Sequence, residues 1–287
     1  MEVKMQSIRP VVVLISMLMG MILSPHSNAQ TTKIIATGGA TQIEGAGGGG
    51  IVPWAVVNGY GSSDEWAATA VATSVAVDDF TLRVLGASVS YDNRLELSFA
   101  RQTFDLDTLG GSLGQDVWGI KYKLVGELLY TSIPQISVGL QYKKVADFGL
   151  PSAVGAANDA GLDIYIASSK VFFDAIAGRN ILLNGTLRAT EANQIGLLGF
   201  GSTHSSDYQV MLEGSVAVLL RDDIALGYEY RQKPNQLDFA KEDDWQDIFL
   251  AWFVNKHLSV TAAYTDLGGI AGFAHQNGWY LSVEGAL

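Results

Sequence analysis

The feature that most constrains this chain is a two-residue alternation of apolar and polar side chains that recurs from residue 66 to the C-terminus. In ISVGLQYK (136–143), every apolar residue is followed by glycine or a polar residue. This period places apolar side chains on one face of a β-strand and polar side chains on the other. The sequence therefore predicts a sheet whose two faces meet different surroundings.

The length and spacing of these runs indicate which surroundings they meet. Many runs are 10 to 12 residues long, whereas strands of soluble proteins cluster near about 5–6 residues and tilted strands that cross a bilayer need about 9–11. Short and long connections alternate, as in barrels with one trimmed rim. We predict an all-β, antiparallel, up-and-down transmembrane β-barrel. Its twelve strands are expected at 66–77, 80–91, 94–104, 116–126, 135–146, 161–171, 181–191, 206–219, 223–232, 245–254, 257–266 and 278–287.

Aromatic residues near strand ends support the assignment of the apolar face to lipid. Rings with a polar edge collect at membrane interfaces, although the same rings could fill a core. The predicted membrane-interface aromatics are Tyr142, Tyr228, Tyr230, Trp252, Tyr264 and Trp279. Runs 66–77, 80–91 and 245–254 carry apolar residues on both faces, so we expect bulges or errors in the assigned register there.

The first 29 residues have the pattern of an export signal. Lys4 and Arg9 precede the apolar run VVVLISMLMGMIL (11–23), and SNA (27–29) matches a small-residue cleavage site. We expect a cleaved signal peptide at 1–29 and export of the mature chain. Export together with a transmembrane barrel predicts the outer membrane of a Gram-negative bacterium. A signal anchor is the alternative, but the run is short for a membrane span.

The segment 30–64 differs from the predicted barrel at 65–287. Its stretch TGGATQIEGAGGGGIVPWAVVNGYG (37–61) is rich in glycine, and no Lys-Ser/Thr pair follows as a phosphate-binding loop requires. We interpret it as a segment that packs in or beneath the lumen. The alternative is a further hairpin, 33–43 with 51–60, which would give fourteen strands, but Pro53 and the glycine run disfavour strands there.

Charge and composition exclude some functions. The formal net charge of −11 argues against nucleic-acid binding, which needs a basic surface. We predict no cofactor, no metal site and no catalytic residues. STHSSD (202–207) contains Ser, His and Asp, but a catalytic triad is assembled across a fold rather than along one loop.

Charged residues on the polar faces of the strands are the candidate functional residues. Mixed charges in a lumen can select ions or small solutes, or they can pair across strands and stabilise the wall. Lys121, Lys123 and Lys143 come from neighbouring strands and form the best candidate for contact with an anionic solute. The predicted pore-lining residues are Glu96, Lys121, Lys123, Lys143, Arg188, Glu229, Arg231 and Glu284.

Several stretches together resemble the proteobacterial outer-membrane family known as domain of unknown function 3034 (DUF3034). The resemblance is carried by the segment 37–61 and by RLELSFARQTFD, SVGLQYKK, LLNGTLRATEANQIGLLGFG, GYEYRQKPNQL, KEDDWQD and NGWYLSVEGAL. It implies a barrel in the outer membrane and supplies no activity. The last residue, Leu287, departs from the Phe that usually ends outer-membrane barrels.

The leading interpretation is porin-like passive passage of small hydrophilic solutes. A plugged structural or anchor barrel is the first alternative, and a lipid-modifying enzyme such as a lipid hydrolase is the second. The expected partners are outer-membrane lipid and lipopolysaccharide, the barrel-assembly machinery during biogenesis, and small solutes.

Overall fold

The computed structural model of the protein describes residues 40–204 and 207–287, which form a closed antiparallel barrel of twelve strands. Each barrel strand pairs with its neighbours in chain order, and the last pairs with the first, as Val283 does with Ala72. Closure pairs every strand edge, as a sheet within a lipid bilayer requires. The predicted twelve-stranded up-and-down barrel is confirmed.

The element bounds follow the predicted runs closely. Two short strands, β1 (Ala40–Thr41) and β2 (Gly47–Gly48), precede the barrel. The barrel strands are β3 (Trp66–Val77), β4 (Phe80–Tyr91), β5 (Leu95–Leu106), β6 (Ser112–Val125), β7 (Gln135–Val145), β8 (Ala160–Ile176), β9 (Arg179–Thr190), β10 (Gln209–Arg221), β11 (Ile224–Arg231), β12 (Trp245–Asn255), β13 (Leu258–Asp266) and β14 (Asn277–Ala286). A helix, α1 (Gly149–Ala153), and a 3-10 helix (Asn193–Gly196) lie in connections. Within the described residues, no helix is long and apolar enough to cross a membrane.

The longer connections lie at one end of the barrel. Residues 146–159, 191–208, 232–244 and 267–276 connect strands at this end, which we call the long-loop rim. The opposite end, the short-turn rim, carries tight turns such as 222–223 and 256–257 together with the end of β14. This asymmetry matches the predicted alternation of connection lengths.

The outer and inner faces differ as the alternation predicts. On β14, Trp279 and Leu281 point outward and are 66% and 53% exposed, whereas Tyr280 and Ser282 point inward and are buried. The outer wall is thus an apolar surface suited to lipid, and the inner wall is mixed. The inward side chains are buried because other residues of the chain lie inside the barrel.

The alternative of a fourteen-stranded barrel is wrong. Residues 40–43 and 51–60 lie inside the lumen, where β1 pairs with β2 and not with the wall; residues 33–39 lie outside the described residues. The backbone folds back on itself, since the Trp54 amide donates to Gly47 O at 3.1 Å. Glycines and Pro53 allow this compact course and disfavour a long strand.

Bulges do not account for the runs with two apolar faces. β3 and β4 pair in continuous register from Trp66–Tyr91 to Ala76–Thr81, and the irregularity of β12 lies near its end, at Phe253/Asn255. Inward apolar residues on these strands instead join a buried cluster with Ile43 and Ile51 of the N-terminal segment. The second apolar face exists because the lumen is filled.

Candidate functional site: a filled lumen

The lumen is occupied by residues 40–61, which we call the plug. Every residue from 41 to 61 is buried. The plug begins and ends near the short-turn rim, where the hydroxyls of Thr41 and Thr69 lie 3.5 Å apart and Gly61 lies beside Ala67. The inward side chains of the barrel therefore contact protein rather than a continuous water column.

The glycine run of the plug allows close approach to an acidic wall residue. The Gly50 and Ile51 amides donate to Glu229 Oε2 at 2.6 and 2.9 Å, and Trp54 Nε1 donates to Oε1 at 3.2 Å. A Cβ atom at Gly49 would collide with the same carboxylate. Only glycine fits at this position without displacing Glu229, so contact with the wall explains the glycine at position 49.

Glu44 is the charged centre of the plug. Arg231 binds its carboxylate through two hydrogen bonds of 2.9 and 3.0 Å, Arg188 Nη2 lies 3.2 Å from Oε2, and Lys143 Nζ contacts Oε1. All four side chains are almost fully buried. A planar two-bond Arg–carboxylate pair is among the stronger polar contacts, so Glu44 fixes the plug to three cationic positions of the wall.

Two acidic wall residues complete this ionic network. Glu213 Oε1 lies 2.5 Å from Arg188 Nε, and Asp163 Oδ2 lies 3.0 Å from Arg188 Nη1 and 2.6 Å from Lys143 Nζ. With Glu44, three carboxylates face three cations. Removal of Glu44 would leave the wall with three cations and two acids, which is unfavourable in a buried site.

A second ionic contact, between Lys121 and Glu96 of the wall, binds the plug backbone at Gly47, Val56 and Asn58. Lys121 Nζ donates to the carbonyls of Gly47 and Val56 at 2.6 and 2.8 Å and lies 3.5 Å from Glu96. Glu96 accepts hydrogen bonds from the amides of Gly47 and Asn58 at 3.0 and 2.8 Å. Wall side chains thus substitute for strand partners of the plug backbone.

All eight predicted pore-lining residues face inward and are buried, and seven of them contact the plug. Glu284 accepts a hydrogen bond from the Thr41 amide at 2.6 Å. Lys123 is the exception, because it pairs with Glu127 of the next connection at 2.9 Å. A pore-lining role for the set stays a prediction. The members are Glu96, Lys121, Lys123, Lys143, Arg188, Glu229, Arg231 and Glu284.

The predicted lysine patch for an anionic solute needs correction. Lys143 lies opposite Val117 on β6, four residues from Lys121 and so about 13 Å along the strand. Each lysine has a carboxylate of its own, as described above for Lys121, Lys123 and Lys143. These lysines are neutralised by protein groups and do not form one basic patch.

A connection from the long-loop rim also enters the lumen. Residues 192–202, which we call the inner loop, are all buried, and the Ile195 carbonyl accepts a hydrogen bond from Lys143 Nζ at 3.1 Å. Gln194 and Ile195 adopt left-handed φ values of 44° and 58°, which are costly for residues with a side chain and more so for β-branched ones. The inner loop and the plug therefore meet at Lys143.

The inner loop is held by a buried ion pair from residues 232–244. The Gln194 amide donates to both Glu242 oxygens, at 2.9 and 3.1 Å, and Lys233 Nζ donates to Gln194 Oε1 at 2.9 Å. Burial raises the pKa of Glu242 to about 7, and attraction to Lys233 offsets part of that effect. Burial lowers the pKa of Lys233 to about 8. The contact can therefore change charge near neutral pH.

The predicted interface aromatics all lie on the outer face. Strand direction places five towards the long-loop rim and Trp252 towards the short-turn rim. Tyr264 and Trp279 pack edge to face, with ring centroids 5.4 Å apart. Their position at a membrane interface stays a prediction. The set is Tyr142, Tyr228, Tyr230, Trp252, Tyr264 and Trp279.

Comparison with protein families decides the relationship of this chain. A family model described as "Protein of unknown function (DUF3034)" matches residues 37–284. The chain belongs to the DUF3034 family. The match includes both the plug and the barrel, and no curated protein matches the chain.

Solved structures resemble this DUF3034 barrel at low sequence identity. The KdgM porin is 11% identical, with a TM-score of 0.49 over 76% of this chain and 98% of that chain. Omp33 of Acinetobacter baumannii is 9% identical, with a TM-score of 0.44 over 79% and 100%. The COG4313 outer membrane channel from Pseudomonas putida F1 is 10% identical, with a TM-score of 0.44 over 82% and 96%. At this similarity they carry no argument about function.

Several central residues escaped the sequence-based prediction. Glu44 is the one acidic residue in the glycine-rich stretch 37–61, a signal that could have marked it. Asp163 and Glu213 sit on predicted strands at positions whose inward direction follows from the alternation. Glu242 lies in the acidic stretch KEDDW (241–245), and no sequence signal distinguishes it from its exposed neighbours.

Proposed function

We propose that this DUF3034 protein is an outer-membrane channel that rests closed, with the plug as its gate, and that it passes small hydrophilic solutes when the plug moves. The observation that supports the proposal is the complete burial of residues 41–61 inside a twelve-stranded lumen. Side chains alone fill an eight-stranded barrel. A wider barrel needs a further element to close it.

The chemistry of the wall favours a closure that opens. Replacing buried ion pairs by apolar residues is often neutral or stabilising, so permanent packing does not require a charged wall. Here Lys143, Arg188 and Arg231 face Asp163 and Glu213. With the plug displaced, this wall would be wetted and would present mixed charges to a solute.

The outer surface supports the proposed location. Exposed apolar side chains cover the outward positions of the strands, for example Leu250, Leu281 and Leu212. We propose contact with outer-membrane lipid and lipopolysaccharide there, and insertion by the barrel-assembly machinery after export.

A permanently plugged structural or anchor barrel is the second candidate. It is favoured by the spread of plug contacts around the wall. Thr41 is bound by Glu284 of β14, Asn58 Nδ2 donates to Ser88 of β4 at 3.1 Å, and Thr186 of β9 donates to the Pro53 carbonyl at 2.7 Å. Such a barrel would conduct under no condition that leaves it folded.

A lipid-modifying enzyme has less support. His204 Nε2 lies 3.6 Å from Asp238 Oδ2, and the two side chains are 78% and 84% exposed. An exposed pair on two connections does not by itself fix a catalytic geometry. Ser205 and Ser206 lie outside the described residues.

Planar-bilayer recordings test the proposal. We expect wild-type protein to be closed for most of the time with rare discrete openings, and Glu44→Gln to increase the open probability at least tenfold. Asp222→Asn is the matched control, because it also replaces an acidic side chain by its amide, but in an exposed short turn. Silence from both folded wild type and Glu44→Gln would favour the structural barrel instead.

A further inference from the structure

The lumen wall contains an acidic side chain that the plug does not satisfy. Asp247 of β12 is 2% exposed, and within the described residues neither of its carboxylate oxygens has a hydrogen-bond partner. A buried polar group without a partner costs free energy, and a charged one costs more. An occupant that supplies positive charge or hydrogen bonds to Asp247 would remove this cost.

A second unpartnered group lies beside it. Thr265 of β13 is directly opposite Asp247 in the sheet register. It is fully buried, faces the lumen, and has a hydroxyl without a partner in the described part of the chain. Two inward positions that are neighbours in the sheet thus carry three oxygen atoms without hydrogen-bond partners among the described residues.

Asp247 lies against the plug. Asp247 Oδ2, Glu229 Oε2 and Tyr280 Cζ all lie 3.4–3.5 Å from the point where a Cβ of Gly50 would stand. Glu229 is opposite Asp247 on β11. The oxygens of Asp247 therefore converge with a second carboxylate beside the glycine run.

Glu229 and Asp247 differ in the hydrogen bonds that their carboxylates accept. Glu229 accepts four hydrogen bonds, from the Gly50 and Ile51 amides, Ser215 and Trp54. Within the described residues, neither oxygen of Asp247 accepts a hydrogen bond. A cation satisfies both oxygens and offsets the repulsion between the carboxylates.

We propose that Asp247 and Thr265 bind a hard cation, with calcium as the best match, in a site between the barrel wall and the plug. Carboxylate and hydroxyl oxygens are ligands of hard cations, and calcium tolerates irregular coordination completed by water. In the described residues, no group of three or more His, Cys, Asp or Glu side chains is arranged to hold a metal. Water must therefore supply much of the coordination shell.

This site goes beyond the proposed gate and is tested without conductance. Terbium, a luminescent substitute for calcium, is excited through a nearby aromatic ring, here Tyr280. Full-length protein is refolded in chelator, exchanged into terbium, and titrated by luminescence. We expect one saturable site in the wild type that calcium displaces.

Three variants decide the assignment. We expect Asp247→Asn to abolish the signal, Thr265→Val to weaken binding at least tenfold, and Asp222→Asn to bind like the wild type. Unchanged binding in Asp247→Asn, or no binding by wild-type protein that is folded by circular dichroism, would overturn the proposal. Thr265→Val keeps the test decisive if Asp247→Asn does not fold.

A salt comparison identifies the cation class. Titrations in sodium chloride and in choline chloride at equal ionic strength should agree if the site prefers a divalent cation. Competition by sodium alone, with no displacement by calcium, would overturn the calcium assignment. Failure of ion binding leaves the conductance prediction intact, so the two proposals fail separately.

Discussion

The plug and the inner loop both fill the lumen, but they are held by different forces. The plug is bound through ion pairs and backbone hydrogen bonds to strands on all sides, with Glu44 at its centre. The inner loop enters from the opposite rim, carries two left-handed residues, and depends on the Lys233–Glu242 pair. We therefore expect the inner loop to move more easily than the plug.

The meeting point of the two segments couples them. Lys143 contacts Glu44 of the plug and the Ile195 carbonyl of the inner loop. Loss of the inner loop would remove one of its partners and leave the ionic network of the plug intact. We therefore expect opening to begin at the long-loop rim.

The largest expected effect on stability comes from a substitution that removes the ionic centre of the plug. Glu44→Gln leaves Lys143, Arg188 and Arg231 with two acidic partners, and disrupting a buried ion pair costs about 3–5 kcal/mol. We expect the urea midpoint in detergent to fall accordingly, while Asp222→Asn stays near the wild type. Equal midpoints for Glu44→Gln and wild type would show that the network does not hold the plug.

A substitution in the glycine run tests the close approach of plug and wall. In Gly49→Ala the new Cβ collides with the Glu229 carboxylate, and overpacking of this kind costs about 1–3 kcal/mol. Gly185→Ala is the matched control, because a Cβ there meets no atom within 4 Å. Equal stability of the two variants would contradict the contact.

The inner loop should respond to pH through the Lys233–Glu242 pair. Burial in the folded protein raises the pKa of Glu242 from 4.5 to about 7. A docked state that buries Glu242 therefore binds more protons, and docking weakens as pH rises from 4.5 to 7. The pKa of Lys233 falls from 10.5 to about 8, so docking strengthens again as pH rises from 8 to 10.5. The loop should be most mobile at pH 7–8.

A spin label measures that mobility. The chain has no cysteine, so Thr203→Cys, at an exposed position beside the inner loop, gives one labelling site. We expect the mobile fraction to rise between pH 4.5 and 7, and this rise to disappear in Glu242→Gln. A rise that persists in Glu242→Gln would assign the effect to another group.

The smallest effect is expected at the lumen lysine that does not contact the plug. Lys123 pairs with Glu127, whose side chain is 51% exposed, and partly solvated pairs contribute about 0–1 kcal/mol. Lys123→Gln should change the urea midpoint and the open probability little. If Lys123→Gln lowered the urea midpoint as much as Glu44→Gln does, contact with the plug would not explain which charged residues of the lumen matter for stability.

Most of the barrel was predictable from the sequence, because the two-residue alternation reports each strand and its outward face. The twelve strands and the inward direction of residues such as Lys121 and Glu229 follow from that period alone. The runs 66–77 and 80–91, which are apolar on both faces, also indicated that the lumen is filled, since inward residues such as Val75 pack in its apolar cluster.

The contacts inside the lumen were not predictable in the same way. Alternation shows that Lys143 points inward but not which segment meets it, because Glu44 lies 99 residues away in sequence. The inner loop contains Ile195, Leu197, Leu198 and Phe200, an apolar signal for its burial, but its glycines and its place between two strands are typical of an exposed connection. Its left-handed Gln194 and Ile195 leave no mark in sequence, since only the fold imposes them.

The central claim is that displacement of the plug opens the lumen, and a disulfide lock tests it most directly. Because the hydroxyls of Thr41 and Thr69 are 3.5 Å apart and the chain lacks cysteine, Thr41→Cys with Thr69→Cys can form a single bridge between plug and wall. Single-channel recordings should show no openings in the oxidised protein and discrete openings after reduction. Equal openings in both states would contradict the claim.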